Sequence, residues 1–168
     1  METTRHDPID FFLGATTPAG FKGYFAPLRR EPGMQLVLLK SGPGCGKSTL
    51  MKRLARAAEQ NGLLTQRIHC ASDPDSLDGI VDETLDVAML DATSPHAYDP
   101  LLPGARDILL NLGEFLDCDA LSGDVSRLEE LRARTAECFR NACAYLTAAE
   151  AIRSAVRPAG DFRKPEND

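Results

Sequence analysis

The sequence predicts an α/β fold in three layers, with a mainly parallel sheet between helices and a long helix near the C-terminal end. A short aliphatic segment, Met34–Leu39, is bounded by glycine and proline on both sides, which is typical of a buried strand. A glycine-rich loop follows this strand, and helical spacing begins at Ser48. Strands that alternate with helices along a chain favour parallel pairing, with helices on the faces of the sheet.

Composition places the chain among soluble globular proteins. It has 168 residues, a formal charge of −6 and a hydrophobic fraction of 43%, which indicates a single domain. We expect this domain over residues 1–157 and a disordered tail over 158–168. The longest aliphatic run, Leu36–Leu39, is far shorter than the about 20 apolar residues of a membrane helix. We therefore expect no membrane contact.

The N-terminal residues, the net charge and the cysteines indicate the location of the protein, its partners and the state of its thiols. The first ten residues contain Asp7, Pro8 and Asp10 where a secretory peptide needs an apolar core, so we expect a cytoplasmic protein. An acidic balance argues against a nucleic-acid partner, because such surfaces need clustered lysine and arginine. The number of cysteines is odd and no C-x-x-C pair occurs, which predicts free thiols. The five cysteines are Cys45, Cys70, Cys118, Cys138 and Cys143.

Further elements follow from the spacing of apolar residues. The first helix runs from Ser48 to Gly62, and two more strands are predicted at Leu63–Cys70 and Leu85–Asp91. The acidic loop between these strands is predicted to lead into a short helix through Ile80 and Val81. Another helix is predicted at Ala105–Phe115.

The most regular pattern lies near the C-terminal end, from Ser126 to Val156. Apolar residues recur there at alternating steps of three and four, which predicts a helix of about 30 residues. Such a helix is longer than a sheet of three evident strands covers, so we expect part of its stripe to stay exposed. We therefore expect a homodimer or a partner protein bound through this helix.

The glycine-rich loop carries the strongest chemical signal. Ser41–Thr49 matches the pattern G-x-x-x-x-G-K-[ST], except that Ser41 stands at the first glycine position. Glycines let the backbone N–H groups point inward at a phosphate, and the following helix adds its positive N-terminal end. Lys47 then reaches the β- and γ-phosphates, and the Ser48 hydroxyl ligates Mg²⁺. The predicted nucleotide-binding residues are Gly42, Gly44, Cys45, Gly46, Lys47, Ser48 and Thr49.

This loop, together with the later strand LDVAMLD, resembles the P-loop nucleoside triphosphatase superfamily over roughly Met34–Asp91. The resemblance implies the three-layer fold of that superfamily and binding of a nucleoside triphosphate with Mg²⁺. It also implies that Asp91 is the Walker B aspartate, which supports the metal alongside Ser48. ATP is favoured as the nucleotide, because the N-K-x-D element of GTPases is absent.

A narrower likeness covers most of the chain. The segments Gly20-Phe21, IHCASDPDSLDG and Ser94-Pro95-His96 occur in the order found in the N-terminal half of a poorly characterised bacterial family of tandem P-loop ATPases. This chain is similar to that half alone, since it contains one glycine-rich loop of this kind.

Hydrolysis requires a water in line with the terminal phosphate and positive charge to stabilise the transition state. Lys47 and Mg²⁺ supply the charge. Asp73 and Asp78 after the second strand, and His96 and Asp99 after the third, are candidates to orient the water, although acidic residues beside proline also stabilise turns. Because Ala92 follows Asp91, the adjacent glutamate of many ATPases is missing, and turnover is expected to be slow.

Three functions remain open from the sequence. The first is an ATPase with slow Mg²⁺-dependent hydrolysis. The second is a nucleotide or small-molecule kinase, whose loop has the same pattern, although no arginine-rich lid is evident between the strands. The third is a nucleotide-gated interaction module that does not hydrolyse ATP.

Overall fold

The computed structural model describes residues 7–156, so the predicted tail at 158–168 lies outside the described residues. Within this range the chain divides into two compact units. The first contains residues 7–15 and 21–123, and the second contains residues 16–20 and 124–156. The first unit holds the main sheet and the glycine-rich loop, and the second holds the long helix.

The predicted strands at 34–39, 63–70 and 85–91 and the helices at 48–62 and 126–156 are confirmed, with boundaries shifted by one or two residues. The N-terminal region, for which no elements were predicted, adds three short strands and a short helix. The strands of the described residues are β1 (Ile9–Phe12), β2 (Gly14–Thr17), β3 (Gly20–Gly23), β4 (Gln35–Lys40), β5 (Thr65–His69), β6 (Leu77–Asp82), β7 (Val87–Asp91) and β8 (Asp107–Asn111). The helices are α1 (Ala26–Arg30), α2 (Lys47–Gln60), a 3₁₀ turn (Leu112–Phe115), α3 (Cys118–Gly123) and α4 (Val125–Val156).

The main sheet of the described residues has six strands in the order β1-β5-β6-β7-β4-β8, and β2 pairs with β3 in a separate two-stranded sheet. Five strands of the main sheet run in one direction, and β6 runs against both of its neighbours. The sheet is therefore mixed. The glycine-rich loop leaves β4, which lies between β7 and β8.

The short helix predicted through Ile80 and Val81 is wrong, since both residues belong to strand β6. The strand forms because the turn after Asp82 returns the chain directly into β7. The Asp82 carboxylate accepts hydrogen bonds from the backbone N–H groups of Thr84 and Leu85, which is a common way to close a tight turn. A direct hairpin requires antiparallel strands, and this explains the reversed direction of β6.

The helix predicted at Ala105–Phe115 is also wrong, since β8 occupies 107–111 and only a 3₁₀ turn follows. The run Ile108-Leu109-Leu110 fits a strand as well as a helix, because a short apolar segment has no distinguishing period. The contacts of Asp107 favour the strand over the helix. Its buried carboxylate accepts from the N–H groups of Leu101 and Leu102, and it places the residues that follow along the open edge of β4.

Alternation along the strands gives the sheet two different apolar faces. Val37, Leu39 and Met89 face α2, where they pack with Met51. Leu36, Leu38 and Leu90 face the other way, into a second core cluster. Phe25 and Met34, together with Leu28 of α1, pack in that cluster. No helix of the described residues is long and apolar enough to cross a membrane.

The N-terminal strand is attached to the sheet by a charged contact as well as by its backbone. His69 at the end of β5 lies between two acceptors: its Nε2 is 2.7 Å from Oδ1 of Asp10, and its Nδ1 is 2.7 Å from the carbonyl oxygen of Pro74. Two acceptors satisfy both N–H groups of an imidazolium. The hydrogen bond to Asp10 is the main reason that the pKa of His69 is raised.

This contact predicts a pH-dependent stability. A histidine with a raised pKa in the folded state stabilises the fold fully below its unfolded pKa, and this contribution is lost as pH rises through the folded value. Asp10→Asn should therefore lower the free energy of unfolding more at about pH 5.5 than at about pH 8.5. Urea unfolding at both pH values measures this, with the exposed Asp75→Asn as a matched control. Equal losses at the two pH values would contradict the assignment.

Candidate functional site

Three loops meet at the end of the main sheet where the parallel strands have their carboxyl termini; we call this the carboxyl edge. The glycine-rich loop follows β4, and the segment after Asp91 follows β7, the neighbouring strand. Leu39 pairs with Asp91 across these strands, so the two loops start side by side. The loop before β6 reaches the same edge because β6 is antiparallel. This edge is where open α/β sheets place their ligands.

The glycine-rich loop depends on left-handed backbone at two positions. Gly44 has a φ of 77° and Gly46 a φ of 82°, a region that other residues rarely adopt. A Cβ at either position would meet no atom within 4 Å. Glycine is therefore required here for the backbone conformation and not for space, and the curled loop delivers the chain directly into α2 at Lys47.

Lys47 is the central residue of the site and is 8% exposed. Its ammonium group donates hydrogen bonds to the carbonyl oxygens of Ser41, at 3.1 Å, and Gly42, at 2.8 Å. Its Nζ also lies 3.6 Å from Oδ2 of Asp91. A buried ammonium group needs such partners, because burial of an unpaired charge is costly. Ser41 holds the lysine through its backbone carbonyl, which any residue at that position supplies.

Asp91 is held in place by a residue that the sequence analysis missed. The backbone N–H of Thr93 donates to Oδ1 of Asp91 at 2.9 Å, and the Thr93 hydroxyl contacts the same oxygen. The other carboxylate oxygen remains directed at Lys47. Aspartate side chains commonly accept from the backbone N–H two residues on, so Asp91 itself was a signal for this turn.

Ser48 connects the start of α2 to β6. Its Oγ accepts a hydrogen bond of 2.9 Å from the backbone N–H of Leu77. No side chain caps the start of α2, where Gly46 is the capping residue. The N–H groups of a first helical turn have no partners within the helix, and they favour an anion at this end.

Of the predicted catalytic residues, Asp73 lies in a turn of its own loop and Asp99 lies in an irregular segment. The Asp73 carboxylate accepts from the N–H of Asp75, at 3.3 Å, and from the hydroxyl of Ser76, at 2.6 Å. The Asp99 side chain is 97% exposed, and its Oδ1 lies 3.7 Å from Nζ of Lys40. Among the described contacts, no hydrogen bond or ion pair joins either carboxylate to Lys47 or Asp91.

His96, the third candidate, is buried beside Asp78. Its Nε2 lies 2.9 Å from Oδ2 of Asp78, and both side chains are less than 7% exposed. The two atoms are close, but within the described residues Oδ2 of Asp78 and Nδ1 of His96 have no hydrogen-bond partner. Asp78 reaches the histidine through a bulge: Ile68 and His69 pair with Gly79 and Leu77, so Asp78 is an extra residue in β6.

An aromatic cluster encloses this pair. The rings of Phe21 and Phe25 meet His96 edge to face, with centroids at 4.7 and 5.1 Å. Tyr98 packs on Phe25, and burial raises the pKa of its phenol to about 12. Arg29 stacks on the Tyr98 ring at 4.5 Å. Phe25 and Tyr98 belong to no sequence motif, and only the fold brings these aromatic residues together with His96.

The thiols of the chain are all free, as expected, and all five cysteines lie within the described residues. Cys45 is part of the glycine-rich loop, where its Sγ is 3.7 Å from the carbonyl oxygen of Pro43. Burial is the main reason that the pKa of Cys70 is raised, and Asp78 raises it further. This thiol therefore stays protonated at neutral pH.

The site combines a buried ammonium group, a curled glycine loop and an uncapped helix start, which together favour binding of an anion. Of the two predicted metal ligands, Asp91 lies 3.6 Å from the Lys47 ammonium group, and Ser48 follows Lys47 in the chain. Nowhere in residues 7–156 do three His, Cys, Asp or Glu side chains form a cluster suited to a metal ion. Comparisons with protein-family models, with curated proteins and with solved structures gave no match.

The His96–Asp78 contact predicts a measurable coupling. His96→Phe should fit the aromatic cluster but leave the Asp78 carboxylate buried without its partner, which costs about 3 kcal/mol of stability. Asp78→Asn in the same chain should recover part of that loss. Urea unfolding of the two single variants and the double variant gives the coupling, expected at about 1 kcal/mol or more. If the loss of stability in the double variant equals the sum of the losses in the two single variants, the pair contributes nothing beyond packing.

Proposed function

We propose that this chain binds ATP with Mg²⁺ through the glycine-rich loop and hydrolyses it slowly, as a member of the P-loop NTPase superfamily. The observation that carries the proposal is the position of the Lys47 ammonium group. It is buried at the start of α2, beside the Asp91 carboxylate and above a loop with two left-handed glycines. A lysine in this position supports the proposal, because the motif places the lysine that meets the phosphates at the start of this helix.

Each residue of the site would have its own role in binding the nucleotide and the metal. The N–H groups of Gly42, Gly44, Cys45 and Gly46 would surround the phosphates, with Thr49 in the first turn of α2. Lys47 would exchange its two carbonyl partners for phosphate oxygens. Ser48 and Asp91 would hold Mg²⁺, whose charge offsets that of the phosphates.

Slow turnover is part of the proposal. Ala92 follows Asp91 and is fully buried, so this position offers no base. Asp73, His96 and Asp99 remain the candidates to orient a water molecule. In the present contacts Asp73 holds a turn, His96 lies beside Asp78 and Asp99 is exposed. A weakly oriented water favours slow hydrolysis.

The direct test is binding of MgATP to the Lys47→Ala variant. Loss of a charged hydrogen-bond donor to phosphate should weaken binding by roughly 10- to 150-fold. Isothermal titration calorimetry measures the affinity, and thermal unfolding checks that the variant is folded. Lys52→Ala removes the same charge from the same helix and should leave binding unchanged. Equal affinities of the parent chain and Lys47→Ala would refute the proposal.

Release of phosphate separates the three open functions. We expect slow release that requires Mg²⁺ and falls in Asp91→Asn, because this variant loses the charge next to the metal. Transfer to an added nucleoside monophosphate, with no release of free phosphate, would identify a kinase. Tight binding of MgATP without release or transfer would identify a nucleotide-gated module.

A further inference from the structure

The helix α4 is long and has no buried face. It spans 32 residues, or about 48 Å at 1.5 Å per residue. The whole helix lies within the described residues, and none of its side chains is buried. Helices in proteins are stabilised chiefly by packing of an apolar face. A helix of this length therefore needs a surface to pack against.

One stripe of α4 has the spacing of a coiled-coil seam. We name it the heptad stripe. Its positions alternate in steps of three and four over four heptads, which is typical of packing between paired helices. Its large members are exposed, including Leu131 at 45% and Ile152 at 66%. The stripe consists of Leu128, Leu131, Thr135, Cys138, Ala142, Tyr145, Ala149, Ile152 and Val156.

We propose that the heptad stripe binds the same stripe of a second copy of this chain, with the two helices antiparallel and crossing near Arg140. In this register the side chains are complementary in size. Leu131 faces Ala149 of the other copy, and Thr135 faces Tyr145. The central layers pair Cys138 with Ala142, and these small residues let the two helices approach closely. Leu128 and Ile152 close the two ends.

Charge also favours the antiparallel direction. In a parallel pair Arg127 of one helix would lie beside Arg132 of the other, at the flanking positions where like charges repel. In the antiparallel pair Arg127 and Arg134 lie beside Ala155 and Ala148 instead. A second copy also suits Phe139, which is 46% exposed at the edge of the stripe. The two-fold axis near Arg140 brings the two Phe139 rings together.

The first experiment measures the association of the full chain by sedimentation, without nucleotide. The parent chain should form a dimer, and Leu131→Lys should weaken it by roughly tenfold or more, because the charge replaces a buried leucine. Ala133→Lys places the same charge on the opposite side of α4 and should leave the dimer intact. Circular dichroism checks that both variants keep their helix.

Two results of this experiment would overturn the proposal. A parent chain that remains monomeric at high concentration would show that the stripe needs no second copy. Leu109 of β8 is 52% exposed at the edge of the main sheet, so Leu109→Lys tests a rival surface with an equally exposed leucine. Loss of the dimer in Leu109→Lys, with Leu131→Lys unaffected, would place the interface on β8.

The second experiment tests the direction. In a variant that combines Ala142→Cys with Cys143→Ser, mild oxidation should link Cys138 of one copy to the introduced cysteine of the other. Trypsin separates these two positions by cleavage after Arg140, so mass spectrometry of the covalent dimer identifies the linked peptides. Peptide 135–140 joined to peptide 141–153 is the antiparallel result. Peptide 135–140 joined to itself would show a parallel pair and overturn the proposed arrangement.

Discussion

The buried ammonium group of Lys47 is the constraint on which the site depends. A buried charge is tolerated only with close partners, and Lys47 finds them in the carbonyl oxygens of Ser41 and Gly42 and in the carboxylate of Asp91. The carbonyls lie within reach because the loop curls back over the start of α2. The carboxylate lies within reach because β4 and β7 are neighbours, with Leu39 paired to Asp91. The burial of this one charge thus depends both on the local loop and on the order of strands in the sheet.

The loops at this edge form a closed chain of contacts. Ser48, next to Lys47, accepts from the N–H of Leu77, and the adjacent Asp78 lies against His96. The backbone N–H of His96 donates to the carbonyl of Thr93 at 2.7 Å, and Thr93 in turn binds Asp91. Asp91 completes the circuit at Lys47. A ligand that moves Lys47 or Ser48 therefore acts on contacts that extend to the buried histidine.

The sequence predicted those parts of the structure that local pattern determines. The strand, loop and helix around Lys47 each have a distinct signature, and the three and four spacing of α4 is regular over its length. The strands β6 and β8 were predicted as helices, because runs such as Ile80-Val81 and Ile108-Leu109 have no period of their own. Their structure depends on what lies beside them, a hairpin partner for β6 and the open edge of β4 for β8.

In the candidate site, too, some residues are predictable from local pattern and others depend on distant parts of the chain. Lys47, Ser48 and Asp91 were predicted because motif and strand context identify them, and the structure places Lys47 beside Asp91. The burial of His96 was not predicted, because it depends on a bulge at Asp78 and on Phe21 and Phe25 from the N-terminal segment. These contacts join residues more than 15 positions apart, and no local signal in the sequence records them.

The most direct test of this account is a crystal structure of the chain with Mg²⁺ and a non-hydrolysable ATP analogue. The account predicts that the Lys47 ammonium group leaves the carbonyl oxygens of Ser41 and Gly42 and binds phosphate oxygens, with the metal between Ser48 and Asp91. A nucleotide bound elsewhere, with Lys47 still on those two carbonyls, would contradict it.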